Sequence, residues 1–264
     1  MSKLKVSLLI VMVLAQILSA KKIKITNVEA KYTNYDEIKA SKEIQQSINI
    51  GFSNTTGNTK TLNLNGKYDF SWIVDGYKLH PLKISFDSSA FLTKNNGVKS
   101  NEEYIANLGL EQTIDDGWLF YTGINWLRNP EFKNYDTKLA INVGMGNELY
   151  NKGRHLLIAK LGVAHNIEDY SNHQDREHFT SLNEYLEYNN KLNEISHLYL
   201  KIGSMQNFNN FKEDYEALSV LGLSLLVEEK VHLTIEEEIA YDNFPAVGFL
   251  KTDTKSIVRL GYKF

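Results

Sequence analysis

Ser256-Ile257-Val258-Arg259-Leu260-Gly261-Tyr262-Lys263-Phe264 closes the chain, and its alternation decides the fold. Val258, Leu260, Tyr262 and Phe264 fall on one face of an extended segment, and Arg259, Gly261 and Lys263 fall on the other, because successive side chains of a strand point to opposite sides. The same period recurs upstream. Leu62, Leu64, Gly66, Tyr68, Phe70 and Trp72 alternate with Asn63, Asn65, Lys67, Asp69 and Ser71. Leu82, Ile84 and Phe86 alternate with Lys83, Ser85 and Asp87, and Leu139, Ile141, Val143 and Met145 with Ala140, Asn142, Gly144 and Gly146. Helical periodicity is scarce beyond residue 44, so the reading is all-β.

Turn signals divide these runs into twelve predicted strands, near 44–54, 59–74, 79–93, 101–114, 117–128, 135–149, 154–167, 177–189, 194–206, 214–228, 231–242 and 253–264. Short connections at Asp75-Gly76, Asp115-Asp116-Gly117, Tyr150 to Gly153, Asn190 to Asn193 and Glu229-Lys230 alternate with longer polar ones at 94–100, 129–134, 168–176, 207–213 and 243–252. The first link, Thr55 to Thr59, is a short exception on the loop side, with Gly57-Asn58 as a hairpin turn rather than a phosphate cradle. An even-stranded antiparallel up-and-down meander with both ends on its short-turn rim is the pattern of a transmembrane barrel of the outer-membrane type. Most of the predicted strands have 12 to 16 residues, against the roughly 9–11 needed to cross the hydrocarbon.

Alternation alone does not say which face is wet. A soluble barrel has an apolar interior, and a membrane barrel inverts this. Three features favour inversion. The polar face is rich in Asn, Ser, Gly and charges of both signs; Tyr68, Trp72, Trp118, Trp126, Tyr150, Tyr241 and Tyr262 serve as interfacial aromatics; and the last strand ends on Phe264, the terminal aromatic read by the barrel-assembly machinery. Strands 177–189 and 214–228 do not declare their faces, and Glu237 falls among Val231, Leu233, Ile235, Ile239 and Tyr241. A bulge, a register slip or an interfacial depth would each account for that carboxylate.

The N-terminus sets the compartment. Lys3 and Lys5 precede an apolar run that ends at Leu18-Ser19-Ala20, the form of a secretory leader cleaved after Ala20. The run from Val6 to Ala15 is broken by Gln16 and is too short for the ~20 residues of a spanning helix. The expected organisation is a leader at 1–20, a charged periplasmic extension at 21–43 and the barrel at 44–264. The chain has no Cys, which excludes a lipoprotein, a disulfide framework and a thiolate site. Its 29 Lys+Arg against 32 Asp+Glu give a net charge of −3, which argues against nucleic acid as a partner.

Gly51-Phe52-Ser53-Asn54-Thr55-Thr56-Gly57-Asn58-Thr59 resembles the opening of the YdiY-like proteins, a salt-induced outer-membrane family without an established activity. Gly144 to Tyr170 resembles the family's paired Gly-rich strands, and Tyr241-Asp242-Asn243-Phe244-Pro245-Ala246, Lys251-Thr252-Asp253-Thr254 and Leu260-Gly261-Tyr262-Lys263-Phe264 resemble its end. The resemblance implies fold and location and transfers no catalytic residue.

Functional candidates therefore come from the polar faces. Lys67, Asp69, Lys83, Asp87, Glu111, Lys160, His232, Glu236, Glu238, Arg259 and Lys263 are the candidate lumen-lining set, a charge ladder of the kind that sets solute preference. His173 and His178 flank a loop with Asp175 and Glu177, too weak a grouping to assign a metal. No spacing singles out a Ser/His/acid trio for an outer-membrane hydrolase. No catalytic residue, cofactor or metal is expected. The leading function is a monomeric small-solute channel in outer-membrane lipid, against a closed structural or envelope-stress barrel and, third, a hydrolase.

Overall fold

The computed structural model describes residues 44–56, 61–95, 98–115, 117–130, 134–171, 176–245 and 249–264. The leader, the 21–43 extension, the Gly57-Asn58 turn and the His173 and Asp175 loop positions lie outside them. Twelve strands run in order: β1 (Ile44–Thr56), β2 (Thr61–Asp75), β3 (Pro81–Asn95), β4 (Val98–Asp115), β5 (Trp118–Asn129), β6 (Tyr135–Lys152), β7 (His155–Tyr170), β8 (Glu177–Lys191), β9 (Ser196–Asn207), β10 (Tyr215–Glu228), β11 (Val231–Asp242) and β12 (Thr252–Lys263). Each pairs antiparallel with the next, and β12 pairs with β1 to close the barrel, which leaves no open sheet edge.

The closing seam shows what the alternation means. Ile48 pairs with Tyr262, Ile50 with Leu260 and Phe52 with Val258; all six side chains are exposed. Between them, Asn49 and Arg259 are buried. The outer wall is thus apolar and the inner wall polar, the reverse of a water-soluble barrel and the arrangement that suits lipid. The aromatics Trp72, Trp118, Tyr150 and Tyr262 stand exposed on this outer wall.

Register resolves the two undeclared strands. In β8, Phe179, Ser181, Tyr185, Glu187 and Asn189 face inward, while Leu182, Glu184 and Leu186 face outward. In β10 the inward set is Glu216, Leu218, Val220, Gly222 and Ser224. Both faces of β10 carry aliphatic residues, so period two has no polarity contrast to reveal.

For Glu237, two of the three explanations fall away. Pairing runs unbroken through it, to Leu221 on one side and Ser256 on the other, so neither a bulge nor a slip explains the charge. It stands exposed on the outer wall and accepts a hydrogen bond from Ser256 Oγ. The Asp75-Gly76 turn is also longer than expected. Residues 76–80 form it, with Lys78 and Leu79 at positive φ, because Pro81 has no N–H to give to a ladder and must open its strand. Asn190-Asn193 shifts likewise: β8 continues to Lys191, and the Asn193 side chain accepts from Ile195 N at 2.9 Å and Ser196 Oγ at 2.7 Å.

Inner-wall glycines let long side chains bridge over the strand between them. Gly222 lies between Tyr199 and Glu236 in the register, and Tyr199 Oη donates to Glu236 at 2.6 Å. Gly261 lies between His232 and Asn49, which meet at 2.9 Å. A Cβ at Gly222 would stand 2.0 Å from Tyr199 Cζ. Gly222→Ala is therefore expected to displace that ring and lower stability by about 1–3 kcal/mol, read from the urea midpoint of the barrel in lipid vesicles. An unchanged midpoint would mean that Tyr199 does not cross the strand at this point.

Candidate functional site

The inner wall encloses a cavity of about 480 Å³, reaching from Gln45, Pro81 and Lys263 near the short-turn rim to Glu111, Lys160 and Arg259 deeper in the bore. Its charges interlock. Lys67 Nζ lies 2.8 Å from Asp69 Oδ1, and Lys160 Nζ lies 2.7 Å from Glu111 Oε1, joining β7 to β4. Arg259 pairs with Glu236 through Nη1, and its Nε donates to Asn65 Oδ1 at 2.9 Å. Amides extend the track: Asn142 donates to Asn125 at 2.6 Å, Asn125 to Asn107 at 2.8 Å and Asn107 to Asp87 at 2.8 Å.

The loop-side half of the bore is built differently. Lys255 Nζ sits 2.5 Å from Glu103 Oε1 and 3.4 Å from Glu238 Oε1, with the Phe91 ring centroid at 4.9 Å. Asn129 Nδ2 donates to the other oxygen of Glu103. Lys138 Nζ sits 2.7 Å from Glu168 and 2.6 Å from Glu216, to which Tyr135 Oη also donates at 3.1 Å. Glu103, Glu168, Lys138 and Lys255 are all buried. The Glu103–Lys255 and Lys138–Glu216 contacts each join strands four places apart in the ring, so they are chords across the bore rather than neighbours on the wall. A buried charge is costly unless paired and hydrogen-bonded, and each lysine here is held by two carboxylates.

All eleven candidate lumen residues lie on the inner face by register. Lys67, Asp69, Lys83, Asp87, Glu111, Lys160, His232, Glu236, Arg259 and Lys263 line the cavity, whereas Glu238 belongs to the loop-side cluster with Lys255. Sequence reasoning missed Lys255 and Glu103 in that cluster, Lys138, Glu168 and Glu216 in the second loop-side cluster, and Tyr185 and Tyr199 in the cavity. Lys255 shares the phase of Arg259 and Lys263, so following period two to the start of β12 would have found it. Among the described residues no three His, Asp or Glu side chains converge as a metal site; His178 stacks instead on His165, with centroids 6.0 Å apart.

The chain belongs to the family described as "Protein of unknown function, DUF481", whose model matches residues 48–264. No curated protein matches it. Among solved structures it resembles the NanC porin, with a TM-score of 0.54, 8% identity, and coverage of 82% of this chain and 100% of that one. Outer membrane phospholipase A from Escherichia coli follows at TM-score 0.51 and 12% identity, covering 82% and 95%. The Salmonella typhi phospholipase with bound calcium gives 0.51 and 15%, covering 82% and 90%. At these identities the likeness is one of fold, and the fold is that of outer-membrane barrels.

Proposed function

We propose that this DUF481 barrel is a small-solute channel of the outer membrane whose lumen is gated on the loop side. The carrying observation is the bore itself, a charged cavity of about 480 Å³ on the short-turn side with two lysine-centred clusters farther along on the loop side. Short turns face the periplasm in barrels of this class, so the cavity is a periplasmic vestibule and the clusters are its outer closure. In this reading the protein is a monomer without catalytic residue or cofactor. It is exported behind a leader cleaved after Ala20 and assembled through the strand that ends at Phe264. The burial of Glu103, Glu168 and Lys255 favours a second reading, a closed structural barrel. A hydrolase ranks below both: on the outer wall the stacked His165 and His178 stand at one end of the β7–β8 pair, and Ser204 donates to Glu184 farther along β8.

Planar-bilayer recording separates the first two. The wild-type barrel is expected to show small or infrequent steps, and Lys138→Ser/Lys255→Ser, which shortens both chords, is expected to show larger and steadier ones. Silence from both proteins, each verified as folded by its heat-modifiable gel mobility, would move the assignment to the closed structural barrel.

A further inference from the structure

The cavity wall carries a pattern that a gate does not require. Three of the six cations that line it have a carboxylate partner on the wall: Lys67 with Asp69, Lys160 with Glu111, Arg259 with Glu236. Asp87 accepts from Asn107 at 2.8 Å, and Glu187 accepts from Tyr185 at 2.7 Å and from Asn189 at 2.9 Å. A charged solute would have to compete with those partners and give up its own hydration to do so. A hydroxyl meets no such obstacle. It donates and accepts at once, so it can add to the remaining lone pairs of a carboxylate or the remaining protons of an ammonium without displacing the group already there.

Two tyrosines complete the pattern. Tyr185 and Tyr199 line the same space, and each is fixed by its hydroxyl to a carboxylate, Tyr185 to Glu187 at 2.7 Å and Tyr199 to Glu236 at 2.6 Å. Tethered in this way, the rings offer rigid apolar surface beside dense donors and acceptors. A carbohydrate ring presents the complement, with C–H groups on its faces and hydroxyls around its edge. The volume of about 480 Å³ lies in the range of small-molecule pockets.

From this we infer that the cavity is a binding site for a neutral polyhydroxyl solute the size of a monosaccharide or disaccharide. The inference rests on the small-solute reading above and names its substrate class. A carboxylate-bearing or phosphorylated solute of equal size is held more weakly by the same wall, because its charge would compete with the ion pairs of Lys67, Lys160 and Arg259.

Isothermal titration calorimetry on the purified barrel tests this, with maltose, glutamate, lysine and inorganic phosphate as probes. Maltose is expected to give saturable heat at least about tenfold tighter than any charged probe. Tyr199→Leu should weaken maltose binding by about tenfold or more, and Tyr199→Phe, which keeps the ring, should retain most of it. If Tyr199→Leu does not reach the folded gel mobility, Tyr185→Leu takes its place, and the ranking of probes on the wild-type protein decides alone. Tighter binding of glutamate, lysine or phosphate than of maltose overturns the inference, as does equal maltose affinity in the folded leucine variant. Absent maltose binding beside conduction by Lys138→Ser/Lys255→Ser overturns the substrate class and leaves the channel standing. Maltose binding beside a silent variant does the opposite.

Discussion

Lys255→Met is expected to destabilise the barrel by about 3–5 kcal/mol, the usual consequence of removing one partner from a buried ion pair. The lysine is held between Glu103 and Glu238 with its side chain only 8% exposed, and that of Glu103 is 4% exposed. Methionine fills similar volume, so the loss comes from the stranded carboxylates rather than from a void. Urea unfolding in lipid vesicles reads it as a fall in midpoint. Glu103→Gln in the same chain should recover part of the loss, because the amide no longer leaves a charge behind; Asn129 Nδ2, which donates to that side chain, still has an oxygen to meet. Arg176→Met is the control. It breaks the Asp169 pair at 2.6 Å, but the Arg176 side chain is 60% exposed, and such pairs contribute little in water. A midpoint for Lys255→Met no lower than that of Arg176→Met would mean that the loop-side bore is wet.

Val258→Lys is expected to cost about 2–4 kcal/mol in a bilayer. Val258 lies midway along β12 on the outer wall, paired with Phe52 and Ile235, so the ammonium would face lipid. Leu260→Lys, two residues nearer the short-turn rim and paired with Ile50 and Leu233, should cost less, since the penalty falls toward the interface. Arg259 lies between them on the opposite face. Arg259→Lys keeps a cation beside Glu236 and loses the Nε bond to Asn65 at 2.9 Å, so it is not the neutral exchange that alternation alone suggests; a small decrease is expected. Arg259→Glu would set a carboxylate against Glu236 and should impair folding. Heat-modifiable mobility and urea midpoints rank the four variants, and equal defects in Val258→Lys and Arg259→Lys would contradict the face assignment.

What the chain discloses about itself follows from which interactions are local. Alternation in β11 delimits Val231–Asp242 to the residue, because every outward position there except Glu237 is apolar or aromatic. β10 hides its phase because Leu218 and Val220 face the bore while Leu221 and Leu223 face outward. The turn before β3 is longer than Asp-Gly alone predicts because Pro81, which opens the strand, sets its far end. In the site, inward phase is legible strand by strand, but the partners are not. Glu103 and Lys255 are 152 positions apart, and only closure of the barrel brings them together. Tyr185 and Tyr199 were overlooked because tyrosine in a membrane barrel is first read as an interfacial residue, and its ring serves equally well on a wet wall where a carboxylate takes the hydroxyl.

The central claim is that the bore is wet on the short-turn side, packed on the loop side and walled from lipid. Because the chain has no Cys, single cysteines test all three parts. Ser85→Cys lines the cavity, Ser181→Cys lies in the loop-side half with no exposed surface, and Val258→Cys lies on the outer wall. The measurement is the rate at which a small charged methanethiosulfonate reagent labels each variant in lipid vesicles. Ser85→Cys is expected to react readily, with Ser181→Cys and Val258→Cys slower by about a hundredfold, as a barrier of roughly 3 kcal/mol to reagent access implies. Labelling of Ser181→Cys as fast as Ser85→Cys would show a lumen open from end to end, and equally fast labelling of Val258→Cys would show that the faces are assigned the wrong way round.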